Sequence, residues 1–263
     1  PAEDQAIRSN FNIFPTDTNQ IRNNISSGVY NLGSAANVAA KGFPAIDYLL
    51  FKGGENSIVT LFADTKRGKY LSDLLADMSA RSKAVINGWS TYRGTFVNSL
   101  GTDISSSIGY LVNQINYELD YLKNAKIGIP LGLKSDGQKL PEKCEAYYSG
   151  ESHPYALRTL QVIEDTYLGR SANGSNGKGF DDYLEHLGST RAGAPLHTAI
   201  NEQFALARNK LTLMGGPVSD KVMNDAAAVQ AAHNELVKLL VLLKTDMPSS
   251  LGVVITYQDG DGD

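Results

Sequence analysis

Asp47 is the one acid inside the apolar run Gly42-Phe43-Pro44-Ala45-Ile46-Asp47-Tyr48-Leu49-Leu50-Phe51. A carboxylate in such a setting has two uses. It can sit among the exposed N–H groups of a helix start, where the macrodipole favours negative charge. It can also act as a hard oxygen ligand or a proton acceptor, given partners from elsewhere in the chain. Gly42 frees the backbone for a turn, and Pro44 suits a first helical turn, where its missing N–H costs nothing. A helix starting at Phe43 or Pro44 puts Asp47 in that first turn.

The other reactive side chains are sparse. His153, His186, His197 and His233 never fall at i, i+3 or i, i+4 from one another, so the paired ligands of an H-E-x-x-H zinc helix are missing. There is no G-x-S-x-G elbow for a serine nucleophile. Cys144 is the single cysteine, which rules out an intrachain disulfide and reads as a packed thiol. Ser149, Ser152 and His153 precede Pro154, where the chain should bend. With Asp47 they could line one polar cleft between two parts of the fold; alternatively, the serines cap a helix restart. Asp259-Gly260-Asp261-Gly262-Asp263 has the wrong glycine order for a calcium loop.

Composition narrows the partners. The 263 residues are 42% hydrophobic and 20% charged, ordinary for a globular protein. A net charge of −4, with no basic stripe beyond Lys66, Arg67 and Lys69, argues against nucleic-acid binding. No apolar run approaches the ~20 residues of a membrane helix; the longest, Leu236 to Leu243, is interrupted by Lys238. No transmembrane segment is therefore expected. The chain opens at Pro1 with neither a charged nor an apolar leader region, so no signal peptide is expected within it.

The elements that must position these residues are helices. Thr16-Asp17-Thr18 offers N-caps for a helix from Asn19 toward Ala40, weakened by Gly28, Gly33 and small residues. Tyr70, Leu71, Leu74, Leu75, Met78, Val85, Ile86, Trp89, Tyr92 and Phe96 predict one continuous apolar face from Lys66 to Leu100, about nine turns long. A further helix follows from Ile104 to about Lys126. The breaker-rich stretch Ile127 to Pro141 marks the domain boundary, giving parts 1–127 and 128–263. A helix from Pro141 or Glu142 passes Cys144 and Tyr147, and helical spacing resumes from Tyr155 to Tyr167. Phe180 to Leu187, Ala194 to Met214 and Ser219 to Lys244 complete the helices. Leu251 to Tyr257 is the one strand-like run. The predicted class is all-α: two helical bundle-like halves packed together, with long up-down helices and a short C-terminal extended segment.

Three segments in order resemble the imelysin family. Its signature reads G-x-H-x-x-E before an apolar run; here Gly42 matches, Pro44 takes the histidine position and Asp47 the glutamate position. Pro141 to Ser152 resembles the family's acid-and-serine segment, and the ending Leu251 to Asp263 resembles its C-terminus. The resemblance implies a bacterial periplasmic protein or outer-membrane-anchored lipoprotein linked to iron uptake, with iron or another metal as its cofactor class. It also implies a small ligand, a metal or an envelope protein as partner. Pro44 has no ligand atom and no proton to exchange, which leaves Asp47 as the signature's sole metal candidate. A non-catalytic binding protein with Gly42, Pro44, Asp47, Ser149, Ser152 and His153 around its cleft is the expected function. The alternatives are a divergent metallopeptidase using Asp47 with ligands from the second half, and a surface interaction protein.

Overall fold

The computed structural model describes residues 1–3 and 5–256. Helix makes up 68% of it, which places the chain in the all-α class. The strands among the described residues are Thr190–Arg191 and Ala194–Pro195, paired antiparallel with Arg191 opposite Ala194. This hairpin replaces the predicted start of a helix at Ala194. Proline at 195 pushes its predecessor toward extended backbone, and Ala192 and Gly193 both take positive φ, the geometry of a tight hairpin turn. The helix begins at Leu196 instead.

The chain forms two compact units. The first is Pro1–Gly94 together with Glu142–Glu151; the second is Thr95–Pro141 together with Ser152–Asp263. The predicted boundary at 127/128 falls inside a continuous helical run over 107–131 that belongs to the second unit.

In the first unit, helix Thr18–Ser27 starts where Asp17 Oδ1 accepts the N–H groups of Asn19 (3.0 Å) and Gln20 (2.9 Å). Gly28 ends it at φ +71°, so the helix expected toward Ala40 stops short. The small-residue stretch that follows is held by side chains. Buried Asn24 donates to Asn37 Oδ1 (2.7 Å), Tyr70 Oη donates to Ala40 O (2.5 Å), and Lys41 Nζ donates to Leu32 O (2.6 Å). Ile21, Leu49, Tyr70 and Leu74 are fully buried beneath them.

The long helix Thr65–Asn98 matches its predicted span. Its apolar face is buried only at Tyr70, Leu74 and Met78, whereas Ile86, Trp89 and Val97 are exposed. The stripe is continuous in sequence but outruns the core of the first unit.

The second unit is built from Ser107–Tyr121, Ser152–Tyr167, Leu196–Met214 and Ala226–Val241 around Val112, Leu119, Leu160, Phe204 and Leu236. The first and last of these widen into π-helix, at Leu122–Gly128 and Leu242–Asp246, just before Pro130 and Pro248. A proline has no N–H for the i−4 carbonyl and its ring crowds that carbonyl, so the turn ahead of it opens. The Leu243 carbonyl in the second wide turn accepts from Asn116 Nδ2 (2.8 Å). The helix expected from Ser219 to Lys244 is split at Asp225, whose φ of −149° is not helical. By length and composition the run Ala226–Leu251 is apolar enough to cross a membrane, longer than the sequence suggests. Its Val229, Ala232, Leu236, Leu239, Leu243 and Met247 are fully buried in the second unit, as in a core helix.

The strand-like run at the end is not a strand. Leu251 closes helix Met247–Leu251, Gly252 turns the chain at φ +67°, and 253–256 have no regular structure. Asn113 tethers that tail by donating to Val254 O (3.0 Å) and accepting from Thr256 N (2.7 Å). Tyr257 and the Asp259–Asp263 motif lie outside the described residues.

Candidate functional site

The helix carrying Asp47 spans Gly42–Phe51. Gly42 has φ +72°, and a Cβ there would lie 2.2 Å from the Phe11 carbonyl oxygen. Both facts require glycine. Pro44 occupies the first turn, as its chemistry favours. Asp47 comes too late for that turn, so the helix-dipole expectation is corrected: no acid lies in the first turn of this helix.

The carboxylate is buried, at 8% exposure, and is satisfied from about a hundred residues away. Tyr148 N–H donates to Asp47 Oδ2 (2.8 Å) and Ser149 N–H donates to Oδ1 (3.0 Å). These donors are available because the helix predicted from Pro141 or Glu142 does not form. Only Pro141–Lys143 is helical, as a 3₁₀ turn. Ala146 then takes φ +48° and Gly150 φ +77°, in the left-handed region. Successive N–H groups in such a turn converge into an anion-binding nest, and Asp47 fills it.

Around the pair, Tyr48 and Tyr148 meet edge to face at 5.3 Å, and Tyr147 meets Tyr148 at 5.2 Å. Asn12 Nδ2 donates to Glu145 Oε1 (2.6 Å), a second tie on the same turn. Arg67 donates from Nη2 to Leu49 O (2.8 Å), near the end of the Asp47 helix, while its guanidinium stacks over Phe62. Burial holds the Arg67 pKa below its ordinary value.

A cavity of about 200 Å³ opens beside Asp47 in the first unit. Pro44, Asp47, Glu142, Cys144, Tyr147 and Tyr148 are among its walls, so two of the three sequence-predicted segments contribute to it. The Cys144 thiol is pushed up to about 12 by burial, with the Glu142 charge adding to the effect. It therefore stays protonated and serves as a packed wall, not a nucleophile.

The predicted cleft residues divide between the units. Asp47 and Ser149 meet directly, through the Ser149 backbone. Ser152 and His153 lie in the second unit. Ser152 Oγ accepts from Val218 N–H (2.9 Å), and His153 Nε2 lies 2.9 Å from Leu211 O. Glu142, Tyr147 and Tyr148 were not singled out by sequence reasoning, because a helical reading of 141–150 hides which side chains a turn exposes. Among the described residues, no three His, Cys, Asp or Glu side chains converge as a metal-ligand group.

The sequence profile of the peptidase M75 (imelysin) family matches residues 1–243, nearly the whole chain. The chain belongs to the imelysin family. Its fold is similar to that of a protein described as an iron-regulated protein A precursor from Parabacteroides distasonis ATCC 8503. The two superpose with a TM-score of 0.76 at 15% identity, covering 95% of this chain and 76% of that one. No curated protein matches the sequence. Within this imelysin-family chain the signature keeps its structural glycine, while its histidine position holds Pro44 and its acid is engaged by backbone.

Proposed function

We propose that this imelysin-family chain is a non-catalytic binding protein of the bacterial cell envelope, acting in a process linked to iron acquisition. The iron link is supported by the family and by the description of the similar solved structure. The non-catalytic reading rests on one observation: both Asp47 oxygens accept backbone N–H groups from the 148–149 turn. Each oxygen keeps a second lone pair, but a metal ligand needs partner ligands beside it, and among the described residues no group of three His, Cys, Asp or Glu side chains converges. Asp47 instead joins two parts of the first unit, and Pro44 supplies no ligand atom. The cavity beside them is the surface on which a small ligand would bind.

The test is a titration of the chain and its Asp47→Asn variant with ferrous iron and zinc, alongside a peptide-cleavage assay. The expected result is no cleavage and no tight metal binding that depends on Asp47. Stoichiometric metal binding lost in a folded Asp47→Asn variant would restore the divergent metallopeptidase reading.

A further inference from the structure

The cavity beside Asp47 is lined by acidic and not by basic side chains, with Arg22 behind its wall, near enough to act on Tyr148. Asp47 and Glu142 both line it, and none of its lining residues is lysine or arginine. The nearby backbone donors that would attract an anion are already taken. Asp47 occupies the N–H groups of Tyr148 and Ser149, and Asp17 occupies those of Asn19 and Gln20 at the start of the helix whose Thr18 reaches the wall. An anion entering here would meet two carboxylates and no free donor among these groups.

The remaining walls include aromatic rings. Phe14, Tyr147 and Tyr148 line the same space, and Tyr147 is 40% exposed. Ring faces attract cations through their quadrupole, most strongly when part of the water has been removed. Each carboxylate oxygen of Asp47 takes one N–H and retains acceptor capacity for another donor.

Two kinds of cation compete for such a site. A metal ion needs three or more donors converging at about 2 Å, and the described residues supply no such group. An ammonium group asks only for negative potential, one or two acceptors and a π-face. A cavity of about 200 Å³ has room for a small organic molecule and not merely an ion.

We propose that the cavity of the first unit binds a small organic cation through its ammonium group, with Asp47 and Glu142 as counter-charges and Tyr147 and Tyr148 as the aromatic wall. This inference rests on the cavity being the binding surface of a non-catalytic protein.

The test is calorimetric titration of the full chain, in chelator, with n-butylamine and its uncharged and anionic counterparts n-butanol and butyrate. Protection of Cys144, which shares the cavity wall, from alkylation gives a second readout. The expected result is saturable binding of n-butylamine alone, with Cys144 protected. Glu142→Gln, at an exposed position that should leave the fold intact, weakens it by up to about fivefold, the range of a screened exposed ion pair. Tyr147→Leu, which keeps the apolar bulk and loses the ring, weakens it by a similar factor. Equal binding of n-butanol, binding of butyrate, or no saturable binding overturns the ammonium proposal and leaves the non-catalytic reading standing. A parallel arm without chelator separates the two: if ferrous iron or zinc displaces the amine in an Asp47-dependent way, both fall.

Discussion

The helix Gly42–Phe51 and the run Ala226–Leu251 are both strongly apolar, yet they are fixed by different means. The second is held by aliphatic side chains at helical spacing, each fully buried in its own unit. The first also buries Ala45, Tyr48 and Leu49, but adds a glycine pressed against the Phe11 carbonyl and an aspartate tied to a turn about a hundred residues on. Apolar packing of the first kind is spread over many contacts and written in local periodicity. Fixing of the second kind is concentrated in a few polar groups and depends on where distant backbone donors end up.

That contrast can be broken at several points. The largest loss should come from the apolar side: Phe204→Ala, at a fully buried ring, destabilises the second unit by about 4 kcal/mol in urea unfolding. A loss under 1 kcal/mol would mean the second unit is not held by its packed core. Gly42→Ala comes next, at about 3 kcal/mol, combining left-handed strain with a clash against backbone that cannot turn aside. A neutral effect would remove the reason for glycine at the signature. A smaller effect is expected at Asp73, where Lys69 and then the Tyr30 hydroxyl hold the carboxyl pKa below its ordinary value. A depressed carboxyl stabilises the fold above its unfolded pKa, and the contribution fades as pH falls through the folded value. Asp73→Asn should therefore lower stability slightly at neutral pH and flatten the stability–pH curve below about pH 4, so that variant and native chain converge in acid. The smallest effect belongs to Ile86→Ser on the exposed part of the long helix, within about 0.5 kcal/mol. A loss of several kcal/mol there would show that this face is buried in solution.

The same contrast explains what could be read from sequence. The all-α class and most helix spans follow from side-chain spacing, and Thr65–Asn98 lies within two residues of its expected bounds. Spacing does not say how far a core extends, which is why Ile86 and Trp89 were placed on a buried stripe and are exposed. The helix read through 141–150 failed because Cys144, Ala146 and Tyr147 keep helical spacing in a segment whose backbone is turned by positive φ at Ala146 and Gly150. An alanine at φ +48° carries no sequence mark, since the surrounding contacts hold it there. Asp47 was legible as the residue of interest, but its partners were not: backbone N–H groups leave no trace in residue type. Ser152 and His153 drew notice for their polarity, and each is used within the second unit.

On the proposed function, Asp47 holds the 142–151 turn and is not a catalytic ligand. Cys144 sits in that turn as a built-in reporter, buried and with its thiol pushed up from 9.0 to about 12. Burial therefore keeps much less of it as thiolate than an ordinary cysteine has. The deciding measurement is the iodoacetamide reaction rate of Cys144 in the native chain and in Asp47→Ala, in chelator, under conditions where both remain folded. Losing the acceptor for two N–H groups should cost about 3 kcal/mol locally and speed alkylation by roughly a hundredfold. An unchanged rate in the folded variant would contradict the claim, since the turn would then be held without Asp47.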